Sequence, residues 1–90
     1  MRRVFENIEV ETDKRGRPEQ LIWRSRTFAV SDVLDHWRYC GKWWLGDWGQ
    51  QRRYYRLHVQ PLVASQSTFG HRVLEVFQQG DDWTLSHFCD

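Results

Sequence analysis

Between Cys40 and Val59 the chain reads CGKWWLGDWGQQRRYYRLHV. Trp43, Trp44 and Trp48 come first, followed by the run Arg52-Arg53-Tyr54-Tyr55-Arg56. Flat rings beside guanidiniums suit a definite chemistry. A ring stacks on a base or on another aromatic group, while the cations hold phosphate or carboxylate. Side chains alternate along an extended strand, so Arg52, Tyr54, Arg56 and His58 share one face. Arg53, Tyr55, Leu57 and Val59 share the other. The face carrying Arg52, Tyr54 and Arg56 is the candidate binding surface, extended by Arg24, Arg26, Arg38 and Lys42 where neighbouring strands align. The plain alternative is a solvated strand whose arginines pair with Asp and Glu across a sheet. Trp43 and Trp44 are adjacent and diverge on a strand, so one enters the core and the other covers an edge or meets a partner. An exposed Trp beside Gly41, Gly46 and Gly49 has the character of an interface hot spot. Trp23, Trp37 and Trp83 are expected in the core.

Other chemistries are less well supplied. Cys40, His71, His87 and Cys89 are the metal-ligand types, but they lack the close spacings of a tetrahedral zinc site, and neither metal nor cofactor is expected. Asp32, Asp35-His36 and Cys40 are the types of a base, its orienting partner and a nucleophile, yet no nucleophile motif surrounds them. Neighbours on a strand diverge, and there is no glycine-rich phosphate loop. No catalytic residues are expected. Gln60-Pro61-Leu62-Val63 partly resembles the Gln-x-Leu motif with which bacterial proteins bind the replication sliding clamp, without its terminal aromatic or leucine pair.

These residues need elements to position them. Val4, Ile8 and Val10 alternate with Asn7, Glu9 and Glu11, which predicts a half-buried strand over residues 4–12. Residues 13–18, DKRGRP, are turn chemistry. Leu21, Ile22 and Trp23 predict a second, more enclosed strand, and Arg24-Ser25-Arg26-Thr27 a tight hairpin turn leading to Phe28 and Val30. Residues 31–39, SDVLDHWRY, read two ways. Val30, Val33, Leu34 and Trp37 match helical spacing with Ser31 as cap, while Val33 and Trp37 also share a strand parity; a bent or bulged strand is the preferred reading. QPLVASQSTFG is the expected mobile loop. Val73 to Phe77 and Trp83 to Cys89 are strands around a Gly80-Asp81-Asp82 turn. The order predicts an all-β fold, an antiparallel meander curled into a small open barrel.

Ninety residues fit one domain, spanning 1–90. A chain of this length buries only about 60–65% of its unfolded surface, so six Trp, five Phe and three Tyr supply much of the core. The net charge of +1 lacks the basic excess of a dedicated nucleic-acid binder, so any electrostatic site comes from local clustering. Residues 1–11 carry no apolar run of signal-peptide length, and no segment has the composition of a membrane helix. Cys40 and Cys89 are expected as free thiols in a cytoplasmic protein without membrane partners.

Several blocks share an order: PEQLIWRSRTFAVSDVLDHWR, WW, RRYYRLHV, VLEVF and DWTLSHFCD. Together they resemble a small bacterial domain family of uncharacterised function, whose members read W-R-G-R, W-W, R-[DY]-Y-[FY]-R-V and W-x-L. A similar run occurs in the C-terminal region of the mutasome's inactive homologue of Y-family DNA polymerases, an accessory of damage-induced translesion synthesis. The resemblance covers residues 18–90 and touches Trp23, Arg24, Arg26, Trp43, Trp44, Arg53, Tyr54, Tyr55, Arg56, Trp83 and Leu85, with no residue roles attached. Ser25 stands where that pattern has Gly. The resemblance implies a link to DNA repair. The expected function is thus a non-catalytic domain that contacts nucleic acid or a replication or repair protein. The alternative is a protein-interaction or self-assembly module, including a homo-oligomer.

Overall fold

The computed structural model describes residues 2–39, 51–62 and 72–89. They form six strands: β1 (Arg2–Thr12), β2 (Pro18–Trp23), β3 (Arg26–Tyr39), β4 (Arg52–Pro61), β5 (Arg72–Gln79) and β6 (Asp82–Cys89). Each pairs antiparallel with the next, and β1 also pairs with β6, so the expected meander closes on itself as a barrel. Where the strands overlap, closure satisfies the backbone donors and acceptors that a curled sheet would leave along its edges.

The turns follow from local chemistry. Asp13 accepts hydrogen bonds from the backbone of Arg15 and Arg17 at 2.8 and 2.9 Å, and Gly16 takes the positive φ the turn requires. Those backbone bonds, first from Arg17 and then from Arg15, hold the Asp13 carboxyl below its ordinary pKa. Between β2 and β3 only Arg24 and Ser25 intervene, with φ of 52° and 63°. Both residues are therefore left-handed, the geometry of a type I′ hairpin. Serine occupies the second of these positions without glycine's freedom.

Residues 31–39 are strand throughout, and the helical alternative there is overturned. The register of β3 on β4 shifts between Val30 and Asp32 and again between Val33 and Asp35. Each shift inserts one extra residue, Ser31 and then Leu34, and each reverses the face of everything that follows. Each bulge converts a spacing of two into a spacing of three, so Val30, Val33 and His36 follow one another on the inward side and Val30 and Val33 both pack on the core. That spacing imitated a helix. The second bulge also places Trp37 on the opposite face from Val33, so Trp37 lies outside the core in which it was expected.

The inner face is mostly aliphatic. Leu21, Leu57, Val59, Val76 and Leu85 have no exposed surface, and Trp23, Trp83 and Phe88 pack with them. Trp23 and Trp83 are core, as expected.

Candidate functional site

The outer face of the barrel wall carries a second layer. Four register pairs align its side chains across β3, β4 and β5: Trp37 with Tyr54, Tyr54 with Phe77, and Arg56 with both Asp35 and Glu75. Trp37 and Tyr54 stack with ring centroids 5.3 Å apart and planes 3° from parallel. Tyr54 tilts onto Phe77 at 5.1 Å, and Phe77 onto Phe5 at 5.6 Å. Phe77 is 2% exposed although it points away from the core. Its neighbours Leu74 and Val76 face inward with the aliphatic residues.

Phe5 joins this layer from the outward parity of β1, at an irregular point of the strand. The register of β1 on β6 shifts between Arg3 and Glu6, and Phe5 sits there at φ 56°, a left-handed conformation that costs an aromatic residue about 1–2 kcal/mol. The ring is 46% exposed and forms one end of the aromatic row.

Arginines are laid over the rings. Arg52 stands 4.5 Å from the Phe77 centroid, Arg56 5.7 Å from that of Trp37, and Arg3 4.9 Å from that of Phe5. Such contacts are worth about 0.5–2 kcal/mol, more when water is excluded. Arg52 also donates to Tyr54 Oη and to Gln79 Oε1, each at 3.2 Å. Arg56 reaches the buried carboxylate of Glu75 at 3.4 Å, while its Nε is buried with no acceptor among the described residues.

Arg52, Tyr54 and Arg56 thus come together on one outward face, as alternation requires. They are already engaged with their neighbours, however. The surfaces that remain open belong to Phe5, Trp37 and Tyr39, the last 47% exposed. These three and Tyr54 wall an outward concavity of about 400 Å³, with Glu75 and His87 also lining it. His87 Nδ1 is hydrogen-bonded to the buried hydroxyl of Ser86 at 2.7 Å.

Arg24 and Arg26 are at the other end of β3 from Trp37, at the β2–β3 turn. Arg24 forms a two-pronged pair with Glu6, Nη2 to Oε2 at 2.6 Å and Nε to Oε1 at 3.2 Å, and lies over Trp23 at 4.8 Å. The Trp23 indole donates to the same carboxylate at 3.2 Å. The Arg24 hydrogen bond, with a smaller contribution from Trp23, holds Glu6 below its ordinary pKa, and Glu6 raises that of Arg24. Arg24 is therefore a clasp on the left-handed turn. Trp43, Trp44, Trp48, Lys42, Cys40, His71 and the loop beyond Leu62 lie outside the described residues.

Asp35 and His36 diverge. Asp35 accepts a hydrogen bond from the His36 backbone at 2.9 Å, and the His36 ring lies against Tyr55 at 6.4 Å on the inward side. Among the described residues no group of three or more His, Cys, Asp or Glu is placed to hold a metal ion, and no helix is long and apolar enough to cross a membrane.

Sequence reasoning missed Phe5, Phe77, Tyr39 and Arg3. For Phe77 a signal existed: it shares parity with Val73 and Glu75 rather than with Leu74 and Val76. For Phe5 one existed as well: it shares parity with Asn7 and Glu9, opposite Val4 and Ile8, which both pack on the core.

A closed six-stranded antiparallel barrel with an aromatic outer groove defines a class of small β-domain. The chain belongs to the family DUF6504, described as a domain of unknown function, which matches residues 1–90. Neither curated proteins nor solved structures give a significant match.

Proposed function

We propose that this chain is a non-catalytic binding domain whose outer groove takes single-stranded nucleic acid. The observation that carries the reading is the open aromatic wall of Phe5, Trp37 and Tyr39, backed by a stack that fixes Trp37 against Tyr54. Bases stack on such rings with little regard to sequence, each worth about 1–3 kcal/mol. The strained backbone at Phe5 supports it, since strain of this kind collects where a side chain is held for use. Arg3, Arg52 and Arg56 around the row supply positive charge for the backbone phosphates. The resemblance of residues 18–90 to the C-terminal region of the mutasome's inactive polymerase homologue supports a role in DNA repair, within a bacterial cytoplasm.

A second reading is a protein-interaction module for a replication or repair protein, or for another copy of this chain. The buried carboxylate of Glu75 in the groove favours it, because an acid repels phosphate and attracts a basic side chain.

Fluorescence anisotropy with labelled single-stranded oligonucleotides tests the first reading. Binding should weaken steeply with salt, and Tyr39→Ala should lower affinity by roughly tenfold, the loss of one stacked base. Absence of binding at low salt, together with a concentration-dependent dimer by light scattering, would replace it with the second.

A further inference from the structure

On the inner file of β4, Val59 and Leu57 are fully buried and Tyr55 closes the core against Trp83 at 5.7 Å. Arg53 is the next residue on that face, and its direct partner across the ladder is Arg38. Gln78 of β5 is opposite Arg53 on the other side. The two arginines, Gln51, Gln78 and Gly80 line a concavity of about 360 Å³ at this end of the barrel, and none of the five is acidic.

Like charges placed directly opposite on adjacent strands repel. Arginine cannot relieve the repulsion by losing its proton. Arg24 and Arg56 are matched by Glu6 and Glu75, and Arg52 by Gln79 and Tyr54. Arg38 and Arg53 have neither an ion pair nor a side-chain hydrogen bond among the described residues, and both are exposed. No carboxylate among the described residues offsets the two charges. Two guanidinium forks and two amide groups offer more donors than a planar carboxylate can accept, and they suit the several oxygens of a phosphate.

We propose that this end of the barrel is a phosphate-binding site, with one phosphate group held between Arg38 and Arg53 and hydrogen-bonded by Gln51 and Gln78. The site is on the inward side of β3 and β4 and stands independently of the outer groove. A neighbouring concavity of about 300 Å³ shares Arg38 and Arg53 and adds His36 and Tyr55 from the same inward face, so a ring attached to the phosphate has an aromatic surface beside it.

The test titrates the whole chain with inorganic phosphate and pyrophosphate, following the arginine side-chain Nε–H signals by NMR and the unfolding temperature in phosphate-free, sulfate-free, low-salt buffer. The Arg38 and Arg53 signals should shift together while that of Arg15, in the β1–β2 turn, stays still. Arg38→Gln and Arg53→Gln should each weaken pyrophosphate binding by roughly tenfold or more, the loss of one charged hydrogen-bonding partner. Without anion, both variants should be at least as stable as the parent chain; with pyrophosphate, the order should invert. Two results overturn the site: signals of Arg38 and Arg53 that do not move, or variants that are less stable than the parent even without anion. Oligonucleotides with and without a 5′-phosphate identify the source. Displacement of pyrophosphate by the phosphorylated strand alone supports a nucleic-acid end, by both strands a backbone phosphate, and by neither a free phosphate or pyrophosphate.

Discussion

The two faces of β4 and β5 solve the same problem with different materials. Inside, Leu57, Val59, Leu74 and Val76 form an aliphatic wall that is almost completely buried. Outside, Tyr54, Arg52 and Arg56 form a half-open layer of ring and guanidiniums over the buried Phe77 and Glu75. The inner wall gains from burial alone, which needs no particular partner. The outer layer depends on geometry: ring planes, a cation over a face, a carboxylate within reach of a fork. A surface that is both ordered and polar-edged is what recognition needs, and the inner wall provides the rigid support beneath it.

The sharpest way to probe the contrast is to remove one large side chain from each face. Leu57→Ala should lose about 3 kcal/mol of stability in urea unfolding, within the range for fully buried leucines. Phe77→Ala should lose about 2 kcal/mol, below the range of about 3–5 for a phenylalanine in a closed core, because water can enter from the open side. Equal losses would mean that the outer layer is a second core rather than a cover. Phe77→Ala should also loosen Tyr54 and with it oligonucleotide binding, which Leu57→Ala should affect only through stability.

Charge gives a smaller effect. Glu6 is held below its ordinary pKa by Arg24, so it stabilises the fold at pH above its unfolded value. That contribution disappears as pH falls through the lowered, folded value. The stability gap between the parent chain and Glu6→Gln should therefore close in acid and reopen towards neutrality, measured as unfolding temperature against pH. Asp13 adds a loss of the same sign in the parent chain.

The smallest effect has the opposite sign. Ser25→Gly should raise stability by about 0.5 kcal/mol, as relief of a left-handed residue outweighs the added chain entropy. It should leave groove binding unchanged, since the turn is at the other end of β3 from Trp37. Arg56→Glu, by contrast, would set two carboxylates opposite each other at Glu75 and confuse lost folding with lost binding; Arg56→Gln avoids this.

Alternation made much of this molecule legible. β1, β4 and the aliphatic side of β5 obey it, and it put Arg52, Tyr54 and Arg56 on one face; β2, expected to be enclosed on both sides, also alternates and leaves Ile22 exposed. It failed where a single inserted residue reversed the parity. The extra residues Ser31 and Leu34 made β3 resemble a helix and moved Trp37 from inside to outside. In β6 the extra residue Ser86 moves the inward parity from Leu85 to Phe88. A bulge depends on how two strands pair, and one strand's residues do not record it. The engagement of Tyr54 was hidden for the same reason, since its stacking partner arrives only after the second bulge.

Those bulges have one more effect. The ladder between β2 and β3 ends at Ala29, so from Val30 onwards β3 is hydrogen-bonded on its β4 side only, among the described residues. A straight, apolar strand in that position would be a template for adding further strands from other molecules, the first step towards aggregation. Here the stretch is bent twice and carries Asp32, Asp35 and Arg38. An incoming strand would meet a broken register and charges with no counterpart. The irregularities that bring Trp37 to the groove thereby also keep this long hairpin from polymerising.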